Sequence, residues 1–358
     1  MKLCILGDCH FGARGDSVDF HNFFEKFYEN TFFPYLIENN IDTVFQLGDL
    51  FDRRKYINFN SLYLCRKYFF DKLRDNNIKM YTLLGNHDIS YKNTLKVNSS
   101  ELLLKEYKNV TVYNDYAQVE FDGMKVDVIP WICKENEKQI FESMKTSSSD
   151  ICFGHFDIDG FEMYRGNKCL GGLNRNIFNK YDMVLTGHFH HRSNDGQIYY
   201  VGTPCEMMWS DYNDTKGFHI LDTETREMEF VANPYQMFHR IRYDDSQTNF
   251  DHWKKFDYKK TKDSYVKIVV LNKQNPYLFD TVVDNFYKAE VADMSIVEDF
   301  SDMNFGVDKD IINQAEDTIT ILSKYIDDNS NGLVEDPNKL KNLMKELYVD
   351  AMNEERTE

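Results

Sequence analysis

The residues able to do chemistry in this chain come in five short stretches. They are Gly7-Asp8-Cys9-His10, Gly48-Asp49-Leu50-Phe51-Asp52, Gly85-Asn86-His87-Asp88, Gly154-His155 and Gly187-His188-Phe189-His190. Half of the chain's 10 histidines fall in them. Neutral imidazole is the commonest protein ligand for metals near neutral pH. A mixed Asp, Asn and His set suits Mn²⁺, Fe²⁺ or Zn²⁺, whereas oxygen-only sets suit Mg²⁺ or Ca²⁺. The set is too large for one tetrahedral ion and large enough for two ions sharing a carboxylate. Two cations about 3.5–4 Å apart clamp the attacking and leaving oxygens of an in-line phosphoryl displacement.

For that chemistry the five stretches must meet. Residues 2–7, 43–47 and 79–84 are short, β-prone and bounded by polar turns. Between them Phe20, Phe23, Phe24 and Phe27, then Leu62, Cys65, Phe69 and Leu73, recur at helical spacing. Such stripes serve burial rather than ligand stacking, because an amphipathic helix must cover one face. Strand, helix, strand, helix, strand predicts a layered α/β fold with parallel strands. From about residue 110 strands dominate, at 110–113, 117–121, 124–129, 150–154, 182–186, 198–201, 217–222 and 227–231. Ligands of open α/β sheets bind beyond the carboxyl ends of the strands, where all five stretches lie. Residues i and i+2 of an extended chain face one side. Asp8 with His10, and His188 with His190, can therefore point into one site while Cys9 and Phe189 point away. The glycines before Asp8, Asp49, Asn86, His155 and His188 permit tight turns and close backbone approach.

The order D-x-H, GDxxD, GNHD, GH, GHxH over residues 8–190 resembles the calcineurin-like metallophosphoesterase superfamily. GDLFD, and YVGTPCEMMWSD at 200–211, are similar to the SbcD-type DNA-repair nuclease branch, the recombination nucleases of T-even-like phages included. The resemblance covers nearly the whole chain and implies an α/β layered metallophosphoesterase sandwich. It implies one metal on Asp8, His10, Asp49 and His190, and a second on Asp49, Asn86, His155 and His188, with Asp49 bridging. His87 matches the family's catalytic histidine, which meets the phosphate or protonates the leaving oxygen. Asp52 and Asp88 would orient it or its neighbours; some members carry His where this chain has Asp52. The implied cofactor is a pair of divalent ions, Mn²⁺ first and Mg²⁺ as the alternative. The implied activities are exonuclease on duplex ends and endonuclease on single strands. The implied partners are DNA, a second copy in a homodimer, and an SMC-like coiled-coil ATPase. The core motifs also serve protein phosphatases and nucleotide phosphodiesterases. GTPCEMMWSD and the C-terminal extension argue against those, and the intact ligand set argues against a non-enzymatic scaffold on this fold.

With 358 residues the chain has room for two or three domains. We expect a nuclease domain at 1–235 and a smaller α+β capping domain at 236–325. Residues 326–358 then form a linker, DDNSNG at 327–332, and a helical tail. The stretch 240–262 carries Arg240, Arg242, Lys254, Lys255, Lys259, Lys260 and Lys262, either a DNA contact or a solvated face. In the tail, Asp336 suits an N-cap and Pro337 the first helical position. Leu340, Leu343, Met344, Leu347, Tyr348 and Ala351 then make one apolar stripe over 336–352. We read that stripe as docking on the ATPase. No apolar run reaches the length of a membrane span, and the first residues read as a strand rather than a signal segment. Seven scattered cysteines do not form a disulfide framework. A reducing cytoplasm is expected, that of a bacterial host if the chain is phage-encoded. The net charge of −17 speaks against holding nucleic acid by bulk basic attraction, but bound cations reverse a local field. We expect His191 to be a solvated turn residue, His21 structural, Trp131 part of the core, and the cysteines small buried hydrophobes. His219, His239 and His252 belong to no motif.

Overall fold

Lys2–Leu6, Thr43–Gln46 and Lys79–Leu83 pair as parallel strands in the computed structural model, which describes residues 1–298, 326 and 337–344. Val110–Tyr113 extends them in parallel, and Gly217–Asp222 and Met228–Ala232 complete the other edge antiparallel, making six strands. A second six-stranded sheet has Met124–Ile129, Ile151–His155, Met183–Gly187 and Ile198–Tyr200 in parallel. Ala117–Phe121 and Ser193–Asn194 flank it antiparallel. Strands covered on both faces read as unbroken apolar runs. Leu3 and Ile5 enter the core between the sheets, while the equally buried Cys4 and Leu6 turn to the opposite face. Phe45 stands at the centre of that core, 4.9 Å from Phe153 of the other sheet. Burying one such ring contributes roughly 2 kcal/mol.

Helices cover the outer faces. Val18–Phe27 buries all four phenylalanines of the first stripe, and the run from Phe59 to Asp75 buries Cys65, Phe69 and Leu73 of the second. Both runs are interrupted by a wide π-helical turn, Tyr28–Phe32 in one and Arg66–Phe70 in the other. The two turns meet through stacked Tyr28 and Tyr68, 5.9 Å apart. Glu137–Thr146 covers the second sheet, setting Ile140 and Met144 against Cys152, Val184 and Ile198. The architecture is the layered α/β sandwich that the alternation of elements predicts.

A second compact unit contains Glu206–Asn213 and residues 235–298. Phe238–Asp244, Tyr265–Asn272 and Asp293–Glu298 are parallel strands. The helices Phe250–Lys255 and Pro276–Lys288 contribute Trp253, Val282 and Phe286 to the core beneath Tyr243. The Glu206 carboxylate accepts the N–H groups of Met237 at 2.6 Å and Phe238 at 3.0 Å. The YVGTPCEMMWSD stretch is therefore divided between the units after Cys205. Lys254, Lys255, Lys259, Lys260 and Lys262 are exposed, with Lys262 paired to Glu290 and Lys260 3.8 Å from Asp257.

The tail helix is described over 337–344, where Asn342 donates to the Leu170 carbonyl. Leu340 and Met344 are half-buried there and Leu343 is exposed. The linker at 327–332, Asp336 and residues 345–352 lie outside the described residues. Among the described residues, no helix is long and apolar enough to cross a membrane.

Candidate metal centre

All five stretches stand where strands of the two sheets end. Asp8, His10 and His190 each bring a ligand atom within 4.8 Å of the others, and Asp49, His155 and His188 do the same. Asp49 of the second trio also faces the first: its Oδ2 is 3.3 Å from His155 Nε2 and 3.8 Å from His10 Nε2. Asn86 Oδ1 joins the second group, 3.0 Å from His155 Nε2 and 2.9 Å from His188 Nδ1. In the first group the Nε2 atoms of His10 and His190 are 3.2 Å apart. The residues between the paired ligands turn away. Cys9 faces Gly7 and Tyr28, and Phe189 stacks on Tyr200 at 4.4 Å.

His87 is bound to this group from two sides. Its backbone N–H donates to Asp49 Oδ1 at 2.7 Å, and its ring Nδ1 is 2.6 Å from the Asp52 carbonyl oxygen. That carbonyl, rather than the Asp52 carboxylate, orients the ring, and it leaves Nε2 available. The Asp52 carboxylate instead faces His10 Nδ1 at 3.3 Å. Asp88 ties the motif loops together. It accepts the N–H groups of Asp49 at 2.8 Å, Gly85 at 2.9 Å and Leu50 at 3.1 Å.

Residues 1–192 match the calcineurin-like phosphoesterase family. The chain is 32% identical over 352 residues to exonuclease subunit 1 of Enterobacteria phage T4, covering 98% of this chain and 99% of that one. The chain belongs to the calcineurin-like phosphoesterase family. It is also 22% identical over 278 residues to the SbcD component of the SbcCD nuclease of Staphylococcus epidermidis, 70% of each chain. Over 353 residues it is 23% identical to DNA double-strand break repair protein Mre11 of Methanocaldococcus jannaschii, 88% of each. Like its family, this phosphoesterase is a metal-dependent hydrolase.

The donor set fits divalent cations. Burial pushes Asp8 up to about 7, and burial together with Asp49 pushes Asp88 up to about 6. Burial also opposes charge on His10 and His155. The carboxylates of Asp52 and Asp49 beside His10, and of Asp49 and Asp8 beside His155, outweigh it and push both rings up to about 9. Protons gather where cations would otherwise neutralise the field. Burial, then the neighbouring His155, holds His188 well below the usual imidazole range; burial, then His10, does the same to His190. Both therefore offer lone pairs. His155 Nδ1 donates to the Leu47 carbonyl at 2.7 Å, which fixes Nε2 as the ligand atom. Among the described residues His190 Nδ1 is buried with no hydrogen-bond partner, while its Nε2 faces His10.

The phosphoesterase holds three of these residues in strained backbone. His10, Asp49 and His188 have φ of 44°, 55° and 85°. Positive φ is uncommon outside glycine, and such strain costs of order 1–3 kcal/mol per residue and collects at functional sites. Two motif glycines are required by space. A Cβ on Gly85 would lie 2.1 Å from Asp49 Oδ1, and one on Gly187 2.4 Å from Asp8 Oδ1.

Two residues differ from expectation. Trp131 stands half-buried at the site with its ring centroid 5.1 Å from His188 and 5.9 Å from His155, not solely in the core. It follows the carboxyl end of Met124–Ile129, so position at the sheet edge was the signal available. His191 is half-buried and bonded to Asp214 at 3.0 Å rather than solvated. His21 is structural, between Ser61 at 2.8 Å and Tyr68 at 3.1 Å. His219 is buried, His239 half-buried and His252 exposed. All seven cysteines are buried, and none is in a disulfide.

Proposed function

We propose that the chain is a two-metal DNA nuclease. It holds one cation on Asp8, His10, Asp49 and His190 and the other on Asp49, Asn86, His155 and His188, with Mn²⁺ as the working metal and Mg²⁺ as the alternative. The observation that carries this reading is Asp49, a member of the trio with His155 and His188 whose carboxylate also faces His10 of the other trio. The names of the relatives, an exonuclease subunit, a nuclease component and a double-strand break repair protein, support DNA as the substrate.

When bound, the two cations neutralise charge at the phosphorus and acidify the attacking water. Asp49 would help to hold both cations. His87, steadied at Nδ1 by the Asp52 carbonyl, uses Nε2 to meet a phosphate oxygen or to give a proton to the leaving oxygen. Asp52 steadies His10, and Asp88 keeps the loops carrying Asp49 and Asn86 at their separation.

The same reading extends to exonuclease action on duplex ends and endonuclease action on single strands, carried out in the cytoplasm by a homodimer. It includes an SMC-like ATPase docked through the helix at 336–352. The test is cleavage of 5′- and 3′-labelled duplex and single-stranded DNA with Mn²⁺ or EDTA, beside a small phosphodiester and a phosphopeptide. Metal-dependent DNA cleavage is expected. Preferential turnover of the phosphopeptide would move the assignment to a protein phosphatase, and cleavage undiminished in EDTA would end it.

A further inference from the structure

The loop carrying His188 and His190 is fixed at both ends. At one end the His188 N–H donates to Asp8 at 3.0 Å. At the other, Lys216, only 4% exposed, donates from Nζ to the His190 carbonyl at 2.8 Å and pairs with Asp214 Oδ2 at 2.9 Å. Asp214 Oδ1 lies 3.0 Å from His191 Nδ1, and His191 Nε2 faces Glu162 at 3.9 Å. The His190 carbonyl also accepts the Thr203 N–H at 3.3 Å, beside Gly202, where a Cβ would lie 3.1 Å from that oxygen. Two remote segments, 202–203 and 214–216, thus converge on one peptide group. A buried ammonium is costly unless it is paired and hydrogen-bonded, and neither the ligand trios nor His87 uses this one.

We propose that Lys216 and Asp214 are positioning residues for the first metal. Lys216 locks the His190 peptide so that the imidazole stays aimed beside His10, and Asp214 joins the ammonium to His191, which steadies the following residue. The inference rests on the ligand set proposed above. It gives the GTP stretch a role as well, since Gly202 and Thr203 form the other half of the clamp.

The test is titration of the metal-free full chain with Mn²⁺ by calorimetry, with the EPR signal of the paired ions reporting joint occupancy. The variants are Lys216→Met, the double Asp214→Asn/Lys216→Met and His190→Ala. In Lys216→Met one equivalent should bind as in the wild type and the other about 10–100-fold more weakly, the usual scale for a residue supporting a ligand. The double variant leaves no lone buried charge, so it should fold and show the same single-site loss. If Lys216→Met does not fold, the double variant decides. Two equivalents at wild-type affinity, equal weakening of both, or failure of the double variant to fold would each overturn the proposal. His190→Ala should weaken the same equivalent. If it leaves both intact, the ligand set itself fails and the clamp with it.

Discussion

His87 touches the ligand group through its backbone and the Asp52 carbonyl. It lies within reach of His10 and Asp52, but it belongs to neither the trio of Asp8, His10 and His190 nor that of Asp49, His155 and His188. His87→Ser should therefore retain both Mn²⁺ equivalents while cleavage falls by roughly 10²–10⁴, the range of a general acid–base group. Calorimetry with single-turnover assays checks this, and loss of metal would refute the role. Asp49→Asn should weaken both equivalents together, and one site surviving at wild-type affinity would remove Asp49 from the bridge. Gly85→Ala should have the same outcome without deleting any ligand, because its Cβ would meet Asp49 Oδ1. Wild-type binding in that variant would show that the loop yields. The grouping of these residues was legible because strong ligand types gather at five strand ends, each of those stretches opening on a glycine. Trp131 and Lys216 were not legible. Neither is a metal-ligand type, and their place comes from what folding sets beside them, two histidine rings for one and a carbonyl for the other.

Among the elements, the main strands of the two six-stranded sheets were legible as short apolar runs bounded by turns, whereas Ser193–Asn194 and the strands Phe238–Asp244, Tyr265–Asn272 and Asp293–Glu298 were not named from the sequence. The two π-helical turns were not legible, since the apolar spacing of these runs reads as uninterrupted α-helix. Inside Gly217–Asp222, His219 pairs with Ile5 on one side and Phe230 on the other. It is 5% exposed and its Nδ1 has no hydrogen-bond partner among the described residues. Burial, then Arg192, lowers it to about 4, whereas in the unfolded chain imidazole titrates near about 6.5. Above that pH both states hold the ring neutral. Below it the unfolded chain takes up a proton that the folded chain refuses, so stability falls as pH drops toward 4. At pH 5 the loss is about 2 kcal/mol. Urea unfolding of the metal-free protein at pH 7.5 and pH 5 should show the wild type losing about that much more than His219→Leu. Equal losses would exclude His219 as the source.

For the whole molecule, the acidic excess of 17 charges requires DNA to be held through cations or local patches. Duplex binding by His87→Ser at physiological salt should be weak in EDTA and strengthen with Mn²⁺. Tight binding in EDTA would contradict this. The second unit takes up the chain from Tyr235, where the strand rhythm of the sequence weakens. The earlier passage of Glu206–Asn213 into the second unit was not legible in the sequence. The cysteines divide in the same way. All seven, from Cys4 to Cys205, lie buried in the first unit. Burial pushes the thiols of Cys4, Cys9, Cys65 and Cys152 up, so reactive thiolate is scarce while that unit stays closed. The rate at which a thiol reagent labels the native protein is thus a clock for opening of the first unit. The second unit has no thiol among its described residues but holds Trp209 and Trp253. With Trp131 of the first unit replaced by Phe, tryptophan fluorescence reads the second unit separately. One sample followed by both signals resolves which half of the chain opens first.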